Sequence, residues 1–306
     1  MTECERIIKD GILPQSFFEE EVRCGFKVTK ERKKIWAVEL DLLKEIDNIC
    51  KKHGLQYFLI GGSLLGAIRH NGIIPWDDDI DIGMMRKDYE TLLSLYNEFS
   101  SPYFIQTPYT DPGYYYSHSR LVNVNTTSFS KKFVGQPIHH GLFVDIFPFD
   151  YWPEEGEMYY ERIRFLNSEN STYMRMSNDF MDNEDRERVK KWSGINPIEA
   201  YEEVQKISTQ WNEKRTPYMI NGICTIYAFK RKLMPASCFS KLIDHKFENF
   251  TIPIPQGYDG YLSKQYGNYM ELPPIEKRGT WHEGVYFDAD VPYDIFIAEL
   301  KKKGDN

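Results

Sequence analysis

The sequence has few cysteines and lacks the close spacing that binds zinc or builds a disulfide framework. No C-x-x-C pair occurs, and an odd number of scattered thiols predicts reduced cysteines, as in a cytoplasmic protein. The five are Cys4, Cys24, Cys50, Cys224 and Cys238.

Long apolar runs and an excess of basic charge are also missing. No run approaches the ~18 residues that indicate a membrane-spanning helix, and the N-terminal stretch MTECERIIKDGILPQSFF has no unbroken apolar segment that would predict a signal peptide. The formal net charge is -8, whereas surfaces that bind nucleic acid are basic. We therefore expect a cytoplasmic protein with no membrane span and no nucleic-acid partner.

The 306 residues are 41% hydrophobic, which is enough for one large core. The spacing of apolar residues predicts a helix from an N-cap at Thr29 to Gly54. A strand is predicted in QYFLI, a helix in SLLGAIRH with Ser63 at its start, and a strand in DIDIGM. Helices and strands alternate to about residue 150, and long helical stretches follow at roughly 154–181 and 197–232.

This pattern predicts an α+β protein in four parts. Residues 1–28 form an N-terminal arm, and residues 29–150 form a catalytic core with a mixed β-sheet and flanking helices. Residues 151–249 form a mainly helical second portion. Residues 250–306 are rich in turns and aromatic side chains, and we expect them to return towards the active site.

The stretch GGSLLGAIRHNGIIPWDDDIDIGM, residues 61–84, crowds four carboxylates together: Asp77, Asp78, Asp79 and Asp81. Two unit charges ~4 Å apart repel by about 4 kcal/mol at the effective dielectric of a protein surface. Either solvent around an acidic turn or a bound cation would offset that repulsion.

A cation is favoured by the alternation of acids and isoleucines. In a strand, Asp79 and Asp81 share one face with their Cα atoms ~6.6 Å apart, and an all-oxygen ligand set favours Mg²⁺ or Mn²⁺. An EF-hand calcium loop begun at Asp77 is excluded, because Ile82 stands where its glycine is needed. Asp77 and Asp78 are interpreted as caps or supporting groups.

Two further elements complete a predicted phosphate and metal site. Gly61, Gly62 and Ser63 stand at a strand-to-helix turn, where backbone N–H groups can face a phosphate. Asp145 lies within the apolar run GLFVDIFPFD, where an acid is costly unless it is paired or binds a metal. The alternative for Asp145 is a structural hydrogen bond at the end of a strand.

These blocks, together with YLSKQYGNYMELPP, resemble the signature blocks of the LicD family, which includes bacterial phosphocholine transferases and ribitol-phosphate transferases. The resemblance implies a nucleotidyltransferase-fold core. It implies Asp79, Asp81 and Asp145 as catalytic metal ligands for Mg²⁺ or Mn²⁺. It also implies a set of nucleotide and phosphate contacts: Gly61, Gly62, Ser63, Arg69, Arg120 and Lys277.

The implied reaction moves phosphocholine from CDP-choline to a sugar hydroxyl of a cell-surface glycan or teichoic-acid precursor, and CMP leaves. A lipid-linked saccharide acceptor would bring the protein to the inner membrane face as a peripheral partner. Aromatic side chains are typical of choline cages, although none of the candidates, Tyr114, Tyr115, Tyr116 and Trp281, is assigned such a role.

Three alternatives stay open. The transferred group could be phosphoribitol, phosphoglycerol or phosphoethanolamine; the chain could be an aminoglycoside-type nucleotidyltransferase that releases pyrophosphate; or it could be an inactive glycan- or cation-binding module. We expect Asp79→Asn and Asp81→Asn to abolish turnover. For Asp145→Asn we expect the same loss, with a thermal stability equal to or above wild type when no metal is present.

Overall fold

The computed structural model describes residues 1–130, 134–176, 181–221, 229–279 and 285–304. Cys224 and Trp281, named above, lie outside these ranges. The helices are α1 (Glu3–Lys9), α2 (Lys30–His53), α3 (Gly61–His70), α4 (Arg86–Ser94), α5 (Glu157–Arg175), α6 (Asn183–Lys190), α7 (Pro197–Thr209), α8 (Phe229–Lys232), α9 (Tyr258–Tyr266) and α10 (Tyr293–Gly304).

The strands are short except for one, β8, which crosses the middle of the main sheet. They are β1 (Glu21–Arg23), β2 (Phe26–Val28), β3 (Phe58–Leu59), β4 (Ile80–Met85), β5 (Tyr103–Gln106), β6 (Ser119–Asn123), β7 (Thr127–Ser130), β8 (Leu142–Trp152), β9 (Tyr218–Asn221), β10 (Met234–Pro235), β11 (Leu242–Phe247), β12 (Phe250–Pro255) and β13 (Val285–Asp288). The predicted mixture of helices and strands is confirmed.

Helix α2 has the limits that its sequence predicts. The Thr29 side chain accepts a hydrogen bond from the Arg32 N–H at the first turn, and Gly54 ends the helix in the left-handed conformation at φ 66°. Glycine adopts that conformation without the steric cost that a side chain brings. The helix buries one face against the sheet, including Trp36 and Leu43.

The main sheet is mixed, and β8 organises it. Strand β4 runs parallel to β8 along one edge, and β3 pairs antiparallel with β4. On the other edge, β6 pairs antiparallel with the first half of β8 and β9 with its second half. The register places Asp81 of β4 beside Asp145 of β8, and Arg120 of β6 beside the same Asp145. Three charged residues therefore form one row across three neighbouring strands.

The helical prediction for 197–232 is wrong in part. Helix α7 ends at Thr209, and the chain then enters β9, which pairs with Phe149–Trp152 of β8. Pro217 precedes β9, and proline disfavours a helical conformation in the residue before it. Strand β8 itself continues to Trp152, so the sheet draws strands from both sides of residue 150. The division into four parts stays a prediction.

Two apolar cores lie on the sheet. The larger joins α2, α3 and β4 with the strands around them, and Phe58, Phe149 and Phe239 pack their rings together within it. The smaller core lies under α5 and α7, where Trp152 packs against Trp211. In the described ranges, no helix combines the length and the apolar character needed to cross a bilayer.

A buried ion pair connects the sheet to the helices above it. Arg86 at the start of α4 contacts Asp150 of β8, with Nε 2.8 Å from Oδ1. Gln205 of α7 accepts from Arg86 Nη1 at 2.8 Å, and the Asn212 side chain donates to Asp150 Oδ1 at 2.8 Å. The two charged side chains are only 10% and 6% exposed. If either side chain were removed, water could not reach the remaining charge well enough to stabilise it.

We expect Arg86→Met to lower the free energy of unfolding by about 3–5 kcal/mol, because Asp150 would stay buried without its counter-charge. Urea denaturation measures this loss. The matched control is Arg162→Met, which breaks an exposed pair with Glu203 at 2.7 Å and should cost about 1 kcal/mol or less. Equal losses in the two variants would contradict the role of burial.

Candidate active site

The acidic loop before β4 is held in place by α2. The backbone carbonyl of Asp77 accepts hydrogen bonds from Arg32 Nη1 at 2.6 Å and from Trp36 Nε1 at 3.0 Å. Both donors lie one turn apart on α2, so the amphipathic helix that builds the core also fixes the loop. The loop is thereby ordered at the first residues of β4.

The loop gathers three carboxylates. One oxygen each of Asp77, Asp78 and Asp79 lies within 4.8 Å of the others, and Asp77 and Asp78 are buried. Asp77 and Asp78 therefore stand beside Asp79 in one cluster, where the sequence suggested only caps or supporting groups. Asp81 follows two residues later within β4, in register with Asp145 of β8.

Glu39 of α2 is a fifth acid in this region that the sequence interpretation missed. Glu39 is 1% exposed, and its Oε2 has no hydrogen-bond partner in the described part of the chain. Burial, together with the charges of Asp79, Asp78 and Asp77, holds the pKa of Glu39 well above its usual range. The sequence could have indicated Glu39, because this acid lies within the apolar stripe of α2.

Asp81 and Asp145 are neighbours, but their pKa values shift in opposite directions. Burial raises the pKa of Asp81, and the charges of Asp79 and Asp145 raise it further. Burial alone would raise the pKa of Asp145 as well, but Arg120 and His118 outweigh it and hold this pKa well below its usual range. Asp145 is therefore a fixed negative charge, whereas Asp81 is crowded by like charges.

The partners of Asp145 come from β6 and the residue before it. Arg120 Nε donates to Asp145 Oδ1 at 2.7 Å, and His118 Nε2 lies 3.2 Å from the same oxygen. His118 is also stacked on the Phe147 ring at 4.5 Å. The sequence interpretation named Arg120 and missed His118, although a spacing of two residues in a strand puts both on one face.

The glycine turn approaches the carboxylates closely. Helix α3 begins at Gly61, two residues earlier than predicted, and Gly61 has φ +54°. A Cβ at Gly61 would lie 3.1 Å from Asp81 Oδ2, and one at Gly62 would lie 2.8 Å from Asp77 Oδ2. A side chain at either position would therefore press on an acid, and the positive φ of Gly61 favours glycine there as well.

The sequence analysis placed Ser63 at the start of the helix. In the structure it lies within α3 and connects this helix to β4. Its hydroxyl accepts a hydrogen bond from the Asp81 backbone N–H at 2.8 Å. The Gly61 N–H donates to the Tyr261 hydroxyl of α9 at 3.2 Å. The turn is thus tied both to the carboxylate strand and to the C-terminal part of the chain. Its role in phosphate binding stays a prediction.

The predicted basic residues have different surroundings in the structure. Arg69 of α3 donates to the backbone carbonyls of Tyr269 and Glu271, at 3.0 and 3.3 Å, and so holds the C-terminal segment. Lys277 is exposed in a short 3₁₀ turn. Lys232 of α8, which was not among the basic residues predicted from the sequence, lowers the pKa of Asp81. No local pattern in the sequence indicated that position.

Of the predicted aromatic candidates, Tyr114 is fully buried. The Arg120 guanidinium lies 5.7 Å from the centre of its ring and 5.4 Å from that of Tyr116. These rings therefore already face a cation that belongs to the protein.

A divalent cation fits the acidic cluster. All candidate ligands are oxygens, the ligand type that Mg²⁺ and Mn²⁺ prefer. Like charges lie within 4.8 Å of each other, and the buried Glu39 Oε2 lacks a partner within the described residues. A bound cation would reduce the repulsion among these carboxylates.

The Arg120 pair reverses the stability expected for Asp145→Asn. Because Arg120 would remain largely buried without a counter-charge, we expect this variant to lose about 3 kcal/mol of unfolding free energy in metal-free buffer. Chemical denaturation measures the loss. The double variant Asp145→Asn, Arg120→Met is the control and should lose less than the sum of the two single changes. Strict additivity would rule out the pairing.

Comparison with known proteins supports a functional interpretation of this site. A family model for the LicD/FKTN/FKRP nucleotidyltransferase domain matches residues 54–183. Over 79% of its length the chain is 26% identical to the lipopolysaccharide cholinephosphotransferase LicD of Haemophilus influenzae, of which it covers 92%.

A shorter match is more alike but covers little of either protein. Over 35 residues the chain is 60% identical to the ribitol 5-phosphate transferase FKRP of Homo sapiens; this is 11% of the chain and 7% of that relative. The chain is also 36% identical over 83 residues to an uncharacterised protein of Rickettsia prowazekii, which is 27% of each. The glycine turn, the acids of β4 and Asp145 all lie within residues 54–183, the part of the chain that matches the LicD/FKTN/FKRP family model.

Proposed function

We propose that the protein transfers phosphocholine from CDP-choline to a sugar hydroxyl of a cell-surface glycan precursor and releases CMP. The observation that carries this proposal is the row of Asp81, Asp145 and Arg120 across three strands, beside the cluster of Asp77, Asp78 and Asp79. The relative that resembles most of the chain is a lipopolysaccharide cholinephosphotransferase. Transfer of a phosphate-linked group is the chemistry that such a site serves.

We assign Asp79, Asp81 and Asp145 as the residues that would hold Mg²⁺ or Mn²⁺, with Asp77 and Asp78 close enough to contribute. When bound, the cation would neutralise charge on the diphosphate of the donor and on the leaving group. The nucleotidyltransferase fold of the core is part of the same proposal, and the description of the matching family model supports it.

The chain's own residues place charge around the donor. Arg120 makes Asp145 a weak base, because its ion pair favours the ionised carboxylate. We therefore assign Asp145 to holding positive charge in position, not to removing the proton of the attacking hydroxyl. Lys232 carries a positive charge near Asp81, and we assign it to the donor phosphates.

A different CDP-linked group is the second candidate. The observation in its favour is the 60% identity to a ribitol 5-phosphate transferase over 35 residues. Phosphoribitol, phosphoglycerol and phosphoethanolamine would use the same carboxylates but would need hydrogen-bonding groups around the transferred moiety. Choline instead carries a quaternary ammonium that has no N–H to donate.

Donor competition distinguishes these candidates. We expect CMP release from CDP-choline to require Mg²⁺ or Mn²⁺ and to exceed release from CDP-ribitol and CDP-glycerol under matched conditions. CDP-ethanolamine should react more weakly, because its smaller ammonium is better hydrated and fills an aromatic site poorly. Chromatography of CMP measures each rate. A preference for CDP-ribitol would refute choline, and release of pyrophosphate from a nucleoside triphosphate would indicate a nucleotidyltransferase.

We expect Asp79→Asn and Asp81→Asn to lower kcat by at least about 10³-fold, because each removes charge that would position a cation at the donor. In parallel, the rise in melting temperature that Mg²⁺ gives to the wild type should shrink in both variants. Asp244→Asn, a change at an exposed position on β11, is the control for both measurements. Wild-type turnover in either site variant would disprove the ligand assignment.

A further inference from the structure

A cavity of about 250 Å³ lies beside the acidic cluster. Asp78 and Arg120 form its edge towards the carboxylates, so a ligand inside it would be next to the reacting groups. The remaining walls include Ser128, Gln136, His140 and Phe143. Its volume suits a single sugar ring or a group of similar size.

Two buried polar atoms in the wall lack partners. Gln136 Oε1 and His140 Nε2 have no hydrogen-bond partner within the part of the chain that the structure describes, and each residue is 6% exposed. Buried polar atoms are almost always satisfied, because removing them from water without a replacement is costly. Both residues line the cavity. A ligand that brings hydroxyl groups would supply what they lack.

The wall that carries these residues is fixed before any ligand arrives. The Gln106 side chain donates to Asp111 Oδ2 at 2.6 Å and to the His139 carbonyl at 2.9 Å, and the His139 N–H donates to Asp111 Oδ2 at 2.9 Å. The His140 ring packs on Tyr293 of α10, with ring centres 4.3 Å apart. Such preorganisation lowers the entropy lost on binding.

The cavity edge carries charges of both signs, Asp78 and Arg120, and its Phe143 ring already has a cation on it. The Arg120 guanidinium lies 3.7 Å from the centre of the Phe143 ring and already occupies that aromatic face. Burial lowers the pKa of His140 to about 4, so this ring is neutral at pH 7 and offers ordinary hydrogen bonding. A quaternary ammonium would find Arg120 at the edge and polar atoms that it cannot satisfy.

We propose that this cavity binds a neutral, polyhydroxylated group through Gln136 and His140. Two sources share that chemistry: a sugar ring of the acceptor and the alditol of a CDP-alditol donor. The inference rests on the proposed phosphotransfer only in taking the carboxylate cluster as the reacting site. The binding itself does not depend on that reaction, because Gln136 and His140 lie outside the cluster. If the group is the acceptor sugar, the choline of the donor must bind elsewhere.

The test measures the binding of free ligands by saturation-transfer NMR and calorimetry. The probes are glucose, galactose, N-acetylgalactosamine, ribitol, choline and CMP, each with wild type and with Gln136→Leu and His140→Phe. We expect at least one hexose or ribitol to bind wild type and to lose about 10-fold or more in affinity in each variant. Binding by a hexose assigns the cavity to the acceptor; binding by ribitol alone assigns it to the donor.

Controls separate this inference from loss of folding and from the proposed reaction. Gln256→Leu, at an exposed position, should leave sugar binding unchanged. The melting temperature of each cavity variant is compared with wild type, because His140→Phe also removes the hydrogen bond between His140 and the Gln136 backbone. Deoxy forms of the sugar that binds test the same hydrogen bonds without any mutation and should also bind about 10-fold more weakly.

Four results would overturn the inference: no binding of any polyol, sugar binding that both variants keep, choline binding that both variants lose, or loss of CMP binding in the same variants. The last result would place the nucleotide in the cavity. CMP release from CDP donors is measured separately. Its absence, with sugar binding to the cavity intact, would remove the proposed reaction and leave the cavity assignment standing.

Discussion

Repulsion between carboxylates is the constraint on which the rest of the site depends. Asp77, Asp78 and Asp79 lie within 4.8 Å of each other at the start of β4. Helix α2 orders the loop by binding its backbone, because Arg32 and Trp36 both donate to the Asp77 carbonyl. A bound divalent cation, as proposed above, would offset the repulsion among the carboxylates.

Local sequence patterns predicted many of the helices and strands, whereas the strand order of the sheet depends on pairing between distant segments. The caps of α2 are sequence-local, so Thr29 and Gly54 could be recognised without the fold. Strand β9 could not be recognised, because its place depends on the free edge of β8, about seventy residues away. The mixed α and β character followed from the alternating patterns, whereas the order of the strands did not.

The residues of the site also fall into those that the sequence predicted and those that only the structure revealed. Asp79, Asp81 and Asp145 were predicted because acids among apolar residues are conspicuous, and the register does bring Asp81 beside Asp145. His118 and Lys232 were missed, since each is ordinary in its local surroundings and acts only through contacts made in the folded chain. The sequence thus identified the acids and Arg120, and the structure added His118 and Lys232, which also offset the cost of burying those acids.

The attachment of α3 to the C-terminal segment has a consequence for biosynthesis. The Gly61 N–H is bound by Tyr261, and Arg69 binds the carbonyls of Tyr269 and Glu271, some two hundred residues later. While the ribosome is still making that segment, the helix that borders the acids lacks these contacts. The site is therefore completed late in translation, and a nascent chain that ends before Tyr261 carries the acids without the contacts that hold their neighbouring helix.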